Sequence, residues 1–268
     1  MIAAIVNPRA ARRSLPDGVR TLLTKAPGHA AELAREIECD RLLVVGGDGT
    51  LNEVVNGLMD RADRPPVSVI PAGTASDFAR TLRLLPHAGP TDVFRATFRD
   101  ATGRPATRYF VNAAGIGLAA EVARRARALP TRARYLAAAI PSLAAGRSFP
   151  ITIRFDDGPE QAFEITTAAI ANGQYQGGAI RIAPEALPHD GLADVTVVQR
   201  VTLREVAARL PILYNGKLHQ HPAVRHFRAA STRVTSNAAV PIELDGEPLG
   251  TLPLEVSVLP LALSIGLA

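Results

Sequence analysis

The chain has 268 residues, 47% of them hydrophobic, with 30 Lys and Arg against 25 Asp and Glu, giving a net charge of +5. That length and apolar content support a globular protein of up to two domains and exclude a disordered or low-complexity chain. The basic excess, almost all arginine, suits phosphates or an acidic membrane surface, while four tyrosines, eight phenylalanines and no tryptophan leave little surface for stacking bases, which argues against nucleic acid.

The opening Met1-Ile2-Ala3-Ala4-Ile5-Val6 has no basic n-region and meets Asn7-Pro8 at once, so it reads as a strand, not a signal peptide. Asn7-Pro8 turns the chain into the basic run Arg9, Arg12 and Arg13, which reads as a phosphate-facing loop or as a solvated charge cluster. Ala30 to Glu38 has helix composition, and the lone Cys39 excludes an internal disulfide and fits a reducing compartment. Leu42 to Val45 is a short β-branched apolar run, the pattern of a parallel strand buried on both faces. Gly46, Gly47 and Gly49 follow, and Thr50 and Glu53 have capping-box spacing before the stripe Leu51, Val54, Val55 and Leu58. A helix N-terminus aimed at a glycine cradle is an anion site. Asp48 inside that cradle reads either as a local cap or as a sign that a nucleotide–metal complex, not a bare phosphate, sits there.

After Pro65-Pro66, the strand Val67 to Ile70 and the loop Pro71-Ala72-Gly73-Thr74-Ala75-Ser76-Asp77 repeat the pattern of strand, glycine, hydroxyl and helix, with Asp77 a cap or an outer cation ligand. Alternating βα units argue for an open, mostly parallel sheet. Past the turn at Asp100 to Gly103 come a strand at Arg108 to Val111, a glycine-spaced loop at Asn112 to Gly117, and a long Ala- and Arg-rich helical segment from Leu118 to Arg147. From Pro150 the pattern alternates as in a β-rich domain, with one helix near Leu203 to Leu213. Asp190 and Asp194 flank a glycine turn able to ligate a hard cation, Asp245-Gly246 reads as a hairpin turn, and the six histidines lack zinc spacing. The apolar tail from Leu252 is broken by Pro253, Glu255 and Pro260 and cannot form a spanning helix.

Gly46-Gly47-Asp48-Gly49-Thr50-Leu51-Asn52-Glu53 together with Pro71-Ala72-Gly73-Thr74-Ala75-Ser76-Asp77-Phe78-Ala79-Arg80 resembles the catalytic domain of the diacylglycerol and sphingoid-base lipid kinases in its bacterial soluble form, and the resemblance covers nearly the whole chain. The first loop is shared with NAD kinases and phosphofructokinases; the second is far more specific. The resemblance implies an α/β domain over 1–108, completed by 260–268, and a β-rich, sandwich-like lipid-substrate domain over 109–259. It implies an ATP-dependent kinase acting on a lipid hydroxyl, cytoplasmic, in peripheral contact with an anionic membrane, and a homodimer. ATP would contact Asn7, Thr24, Gly46, Gly47, Asp48, Gly49, Thr50, Leu51, Asn52, Gly73 and Thr74. Glu247 or Asp245 would be the proton acceptor, and a structural Mg²⁺ or other divalent cation would be held by Asp190 and the backbone oxygens of Leu187 and Leu192. The chain departs from the family pattern at Arg9, at Ser76 in place of Asn, and at His189 in place of an acid. Two alternatives stand beside this reading: an NAD or sugar kinase sharing the first loop, and a non-catalytic nucleotide- or lipid-binding relative.

Overall fold

The computed structural model describes residues 1–10, 15–73, 75–85, 89–127 and 134–268, without the side chains of 134–136. Arg12, Arg13, Thr74 and Arg132 lie outside the described residues. The first half runs β1 (Ile2–Val6), β2 (Arg20–Leu23), α1 (His29–Glu36), β3 (Arg41–Gly46), α2 (Asp48–Met59), β4 (Val67–Pro71) and α3 (Asp77–Leu84). β1 pairs in parallel with β2 and β3, and β3 with β4. Strands covered by helices must be apolar throughout, and Leu42, Val44, Val67 and Val69 meet Leu51, Val54 and Leu58 of α2 in one core. Each such enclosed side chain contributes about 1.5–3 kcal/mol.

The second half runs β5 (Gly89–Asp100), β6 (Pro105–Phe110), β7 (Ala113–Gly117), α4 (Leu118–Ala126), α5 (Arg134–Ala144), β8 (Phe149–Phe155), β9 (Glu160–Ala171), β10 (Ala193–Gln199), α6 (Leu203–Ala208), β11 (Val224–Ala229), β12 (Ser231–Thr235), β13 (Pro241–Leu244) and β14 (Glu247–Leu267). Its antiparallel strands close over a separate core of Phe94, Phe110, Ile116, Ile153, Ile165, Val195, Ile242 and Leu254. The two halves are joined by β14, which pairs with β13, β12 and β5 and ends in parallel with β4 through Ile265 to Leu267. Among the described residues, fourteen strands thus form one hydrogen-bonded network instead of two separate sheets.

Three local readings change. Thr50 and Glu53 do not form a capping box: α2 begins at Asp48, no side chain caps its Gly47, and Glu53 Oε2 instead accepts the N–H of Ala30 at 3.1 Å, at the start of α1. The capping box lies at Thr202 and Glu205, opening α6, which stops at Ala208 before a single 3-10 turn containing Pro211. The helical stretch expected over 118–147 is two helices, α4 and α5.

Candidate active site

The two glycine loops leave neighbouring parallel strands, β3 and β4, and touch. A Cβ added to Gly73 would lie 2.5 Å from Gly47 Cα, so the backbones meet at a distance no side chain permits. Asp48, the first residue of α2, points at the start of α3, where its Oδ2 accepts from Asp77 N at 3.0 Å and its Oδ1 from Phe78 N at 3.3 Å. Asp77 is buried and reaches into the β-rich half, accepting from Gly178 N at 2.8 Å and Ala179 N at 2.9 Å. Each acid therefore satisfies orphan N–H groups of the next segment.

Asp245 and Gly246 form the two-residue turn between β13 and β14, with φ of 49° and 82°, the positive pair that a type I′ hairpin requires. The Asp245 carboxylate accepts four hydrogen bonds: from Asn52 Nδ2 at 2.8 Å, Val111 N at 3.2 Å, Asn112 N at 3.0 Å and Ala113 N at 3.0 Å. Asn56 adds two bonds between α2 and the crossover strand, donating to Tyr109 O and accepting from Tyr109 N. The hairpin is thereby fastened to α2 and to the 109–113 crossover. The next residue, Glu247, is left half-exposed, with Arg127 Nη2 3.7 Å from its Oε1.

These elements line one cavity of about 1020 Å³, which includes Asn7, Thr24, Gly46 to Thr50, Gly73, Asp77, Asp245 and Glu247. Arg9, Lys25 and Arg127 add positive charge to its walls. An apolar arm extends it between α4 and the segment around α6, through Leu118, Val122, Ile180, Val206, Leu210 and Leu213. The acids are held away from their ordinary ionisation. Burial, then the neighbouring Asp77 charge, pushes Asp48 up to about 7. Burial raises Asp77 and Asp245 as well, and takes the enclosed Glu243 up to about 8. Glu243 is bound by the side-chain amide of Gln176 and by Gly246 N.

Asp48 and Asp77 are hard oxygen donors raised by burial, Asp48 also by the charge of its neighbour; among the described residues their oxygens accept hydrogen bonds from neutral backbone N–H groups and none from a cation, so their charge is one a divalent ion could balance. Among the described residues, no three acids, histidines or cysteines converge as a ready-made metal site, so the ion would bring ligands with it, as a nucleotide polyphosphate does.

The sequence expectations meet this site unevenly. Leu51 packs into the α/β core and Asn52 is bonded to Asp245, so neither side chain lines the cavity, whereas Asn7 does, with Nδ2 3.4 Å from Thr50 Oγ1. Thr74 lies outside the described residues. Asp190, Leu187 and Leu192 are not part of the cavity. Sequence reasoning missed Lys25 and Glu243, and read Arg127 only as part of the basic helical segment, not as a wall of the cavity. One signal was available: Lys25 is one of only two lysines and directly follows Thr24.

The chain matches the diacylglycerol kinase catalytic domain over residues 3–102 and the YegS C-terminal NAD kinase beta sandwich-like domain over residues 111–267. A diacylglycerol kinase of Staphylococcus saprophyticus is 30% identical over 93% of this chain and 89% of its own length. One from Bacillus subtilis is 30% identical over 85% of this chain and 77% of its own. In fold, the chain resembles a solved Bacillus anthracis diacylglycerol kinase at 24% identity, with a TM-score of 0.72, covering 100% of this chain and 96% of that one. A diacylglycerol kinase catalytic domain followed by a YegS-type β-sandwich-like domain places the chain among the lipid kinases. The chain belongs to the diacylglycerol kinase family.

Proposed function

We propose that this kinase transfers the γ-phosphoryl group of ATP to a lipid hydroxyl of the diacylglycerol type. The observation that carries the reading is that Glu247 lines the same cavity as the Gly46 to Thr50 loop, beside an apolar arm that suits an acyl chain. The free N–H groups and dipole at the start of α2 hold the phosphates, with Arg9 and Lys25 adding charge. Thr24, which lines the cavity, and Thr74 are assigned to the same role on the resemblance alone. Glu247 takes the proton of the lipid hydroxyl as the new oxygen–phosphorus bond forms, the bond to the bridging oxygen breaks, and ADP leaves. Glu247 is preferred over Asp245 as this base because four donors already hold Asp245, which serves to position the hairpin. A divalent ion bound with ATP would neutralise charge on the phosphates, next to Asp48 and Asp77. Catalysis is then positioning and electrostatics.

We assign residues 1–108 with 260–268 to the nucleotide half and 109–259 to the lipid half; the two cores support this division except at the junction, where Phe94, Ala96 and Phe98 of β5 pack in the β-rich core and Val111 in the α/β core. Among the described residues, no helix is long and apolar enough to cross a membrane. Peripheral contact with an anionic surface would use Arg124 and Arg125, in the last turn of α4. The test is transfer from labelled ATP to diacylglycerol, monoacylglycerol or sphingosine in phosphatidylglycerol-containing vesicles, with NAD as a parallel acceptor. Transfer to a lipid supports the reading. Transfer to NAD alone, or to none despite ATP binding, overturns it.

A further inference from the structure

The family resemblance implies a resident divalent cation at Asp190, and the local chemistry argues against it. Asp190 sits in the turn leading into β10, and both its oxygens are already engaged. Oδ1 accepts from Leu192 N at 3.1 Å, and Oδ2 accepts from the Arg228 guanidinium. Asp194 and Arg228 are direct cross-strand partners in the antiparallel β10–β11 ladder, so the pleat sends both side chains to the same face. Arg228 Nε lies 3.7 Å from Asp194 Oδ2, an oxygen with no hydrogen bond of its own, and His226, two residues along β11, places Nε2 2.9 Å from Asp194 Oδ1. Asp194 is fully buried, so its charge has to be balanced locally. The turn is also tied to β5: Asp92 accepts from Gly191 N and from Leu261 N, both at 2.8 Å, and its own N–H donates to Pro188 O.

We infer that the Arg228 guanidinium, bridging Asp190 and Asp194, stands where a structural divalent cation would otherwise be needed, so that this corner of the protein holds no resident metal. A guanidinium suits the place physically. It stays charged at every working pH, its planar fork reaches two carboxylates at once, and it sheds water more readily than a small divalent ion does. His189, where the family pattern has an acid, is consistent with this: with a guanidinium already present, one fewer carboxylate is called for. The device ties the 188–192 turn to β10 and β11, and through Asp92 to the bend of β14 at Leu261, independently of the ionic content of the medium.

The experiment uses the full chain without nucleotide, so its outcome does not depend on the proposed reaction. After treatment with EDTA and desalting into Mg²⁺-containing buffer followed by gel filtration, elemental analysis of the wild-type protein should find Mg²⁺, Ca²⁺ and Mn²⁺ far below one equivalent. Its Tm should be the same with EDTA as with millimolar Mg²⁺. Arg228→Met should lower Tm by about 3–8 °C, and millimolar Mg²⁺ should restore part of that loss. The double variant Asp190→Asn, Arg228→Met should show no restoration. One retained equivalent of divalent ion in the wild type, lost in Asp190→Asn, would overturn the inference. So would an Arg228→Met protein with unchanged Tm and no response to Mg²⁺. Should Arg228→Met fail to fold, the wild-type metal content and EDTA melt decide the question alone.

Discussion

Asp48 of the first glycine loop caps the helix that opens the second: its Oδ2 accepts the N–H of Asp77 at 3.0 Å. One carboxylate is therefore both a cap and a charge at the proposed phosphate site, and two variants separate these roles. Asp48→Ala loses both and should cost about 1 kcal/mol of stability, roughly 2–4 °C in Tm. Asp48→Asn keeps one of the two acceptors but not the charge, so its melt should fall less than that of Asp48→Ala while kcat falls about 10²-fold. An Asn variant with full activity would show that the charge is dispensable.

Glu247→Gln should reduce kcat by about 10²–10⁴-fold while leaving ATP affinity intact. Because Glu247 is half-exposed and pairs only loosely with Arg127, its Tm should move little. Isothermal titration with a non-hydrolysable ATP analogue, set beside the rate assay, checks both halves of this expectation.

Asp245→Ala strands three backbone N–H groups at the junction of the two halves and leaves the Asn52 amide with Tyr109 O alone. The expected loss is about 3 kcal/mol, a drop of roughly 6–12 °C in Tm. A melt within a degree or two of wild type would mean that the hairpin is held by other contacts.

Gly49 is a probe for the nucleotide itself. A Cβ added there meets nothing within 4 Å, so the folded chain has room for Ala, which also favours a helix by up to about 1 kcal/mol. Gly49→Ala should keep or raise the Tm of the unliganded protein, yet raise KM for ATP about tenfold or more, because the new methyl occupies the side from which a phosphate would approach. An unchanged KM would place the phosphates elsewhere.

The unliganded protein should lose stability as pH rises from about 5 to 8. Asp48 and Glu243 have folded pKa values raised to about 7 and about 8, above their ordinary 3.8 and 4.5. Between the ordinary and the raised values the folded state binds more protons than the unfolded one, so stability is full below the ordinary pKa and is lost on passing through the raised one. Thermal melts from pH 5 to 8 should fall by a few degrees, and Glu243→Gln should flatten the slope.

Much of this site was legible in the sequence because its strongest signals are local. Leu42 to Val45 followed by three glycines can only be a buried strand turning into a helix, and Asp245-Gly246 carries its hairpin geometry in two residues. What escaped is non-local. Thr50 and Glu53 have the spacing of a capping box, but packing of α1 against α2 offers Glu53 a better-placed donor, Ala30 N. β5 went unread although Phe94, Ala96 and Phe98, which are core, alternate with outward Arg95, Thr97 and Arg99 as a half-buried strand does. Glu243 reads as an ordinary strand residue, and only the meeting of β13 with Gln176 and the 246 turn encloses it.

The twenty-one residues of β14 begin with Glu247 at the cavity and end beside β4, the strand that delivers Gly73. One continuous strand, bent at Leu261 where φ is 52°, thus links the group proposed to accept the proton to the sheet that carries the glycine loops. Because that strand pairs with β5 from Gly250 to Ile265, with two register shifts on the way, drawing the two ends apart would break ladder hydrogen bonds.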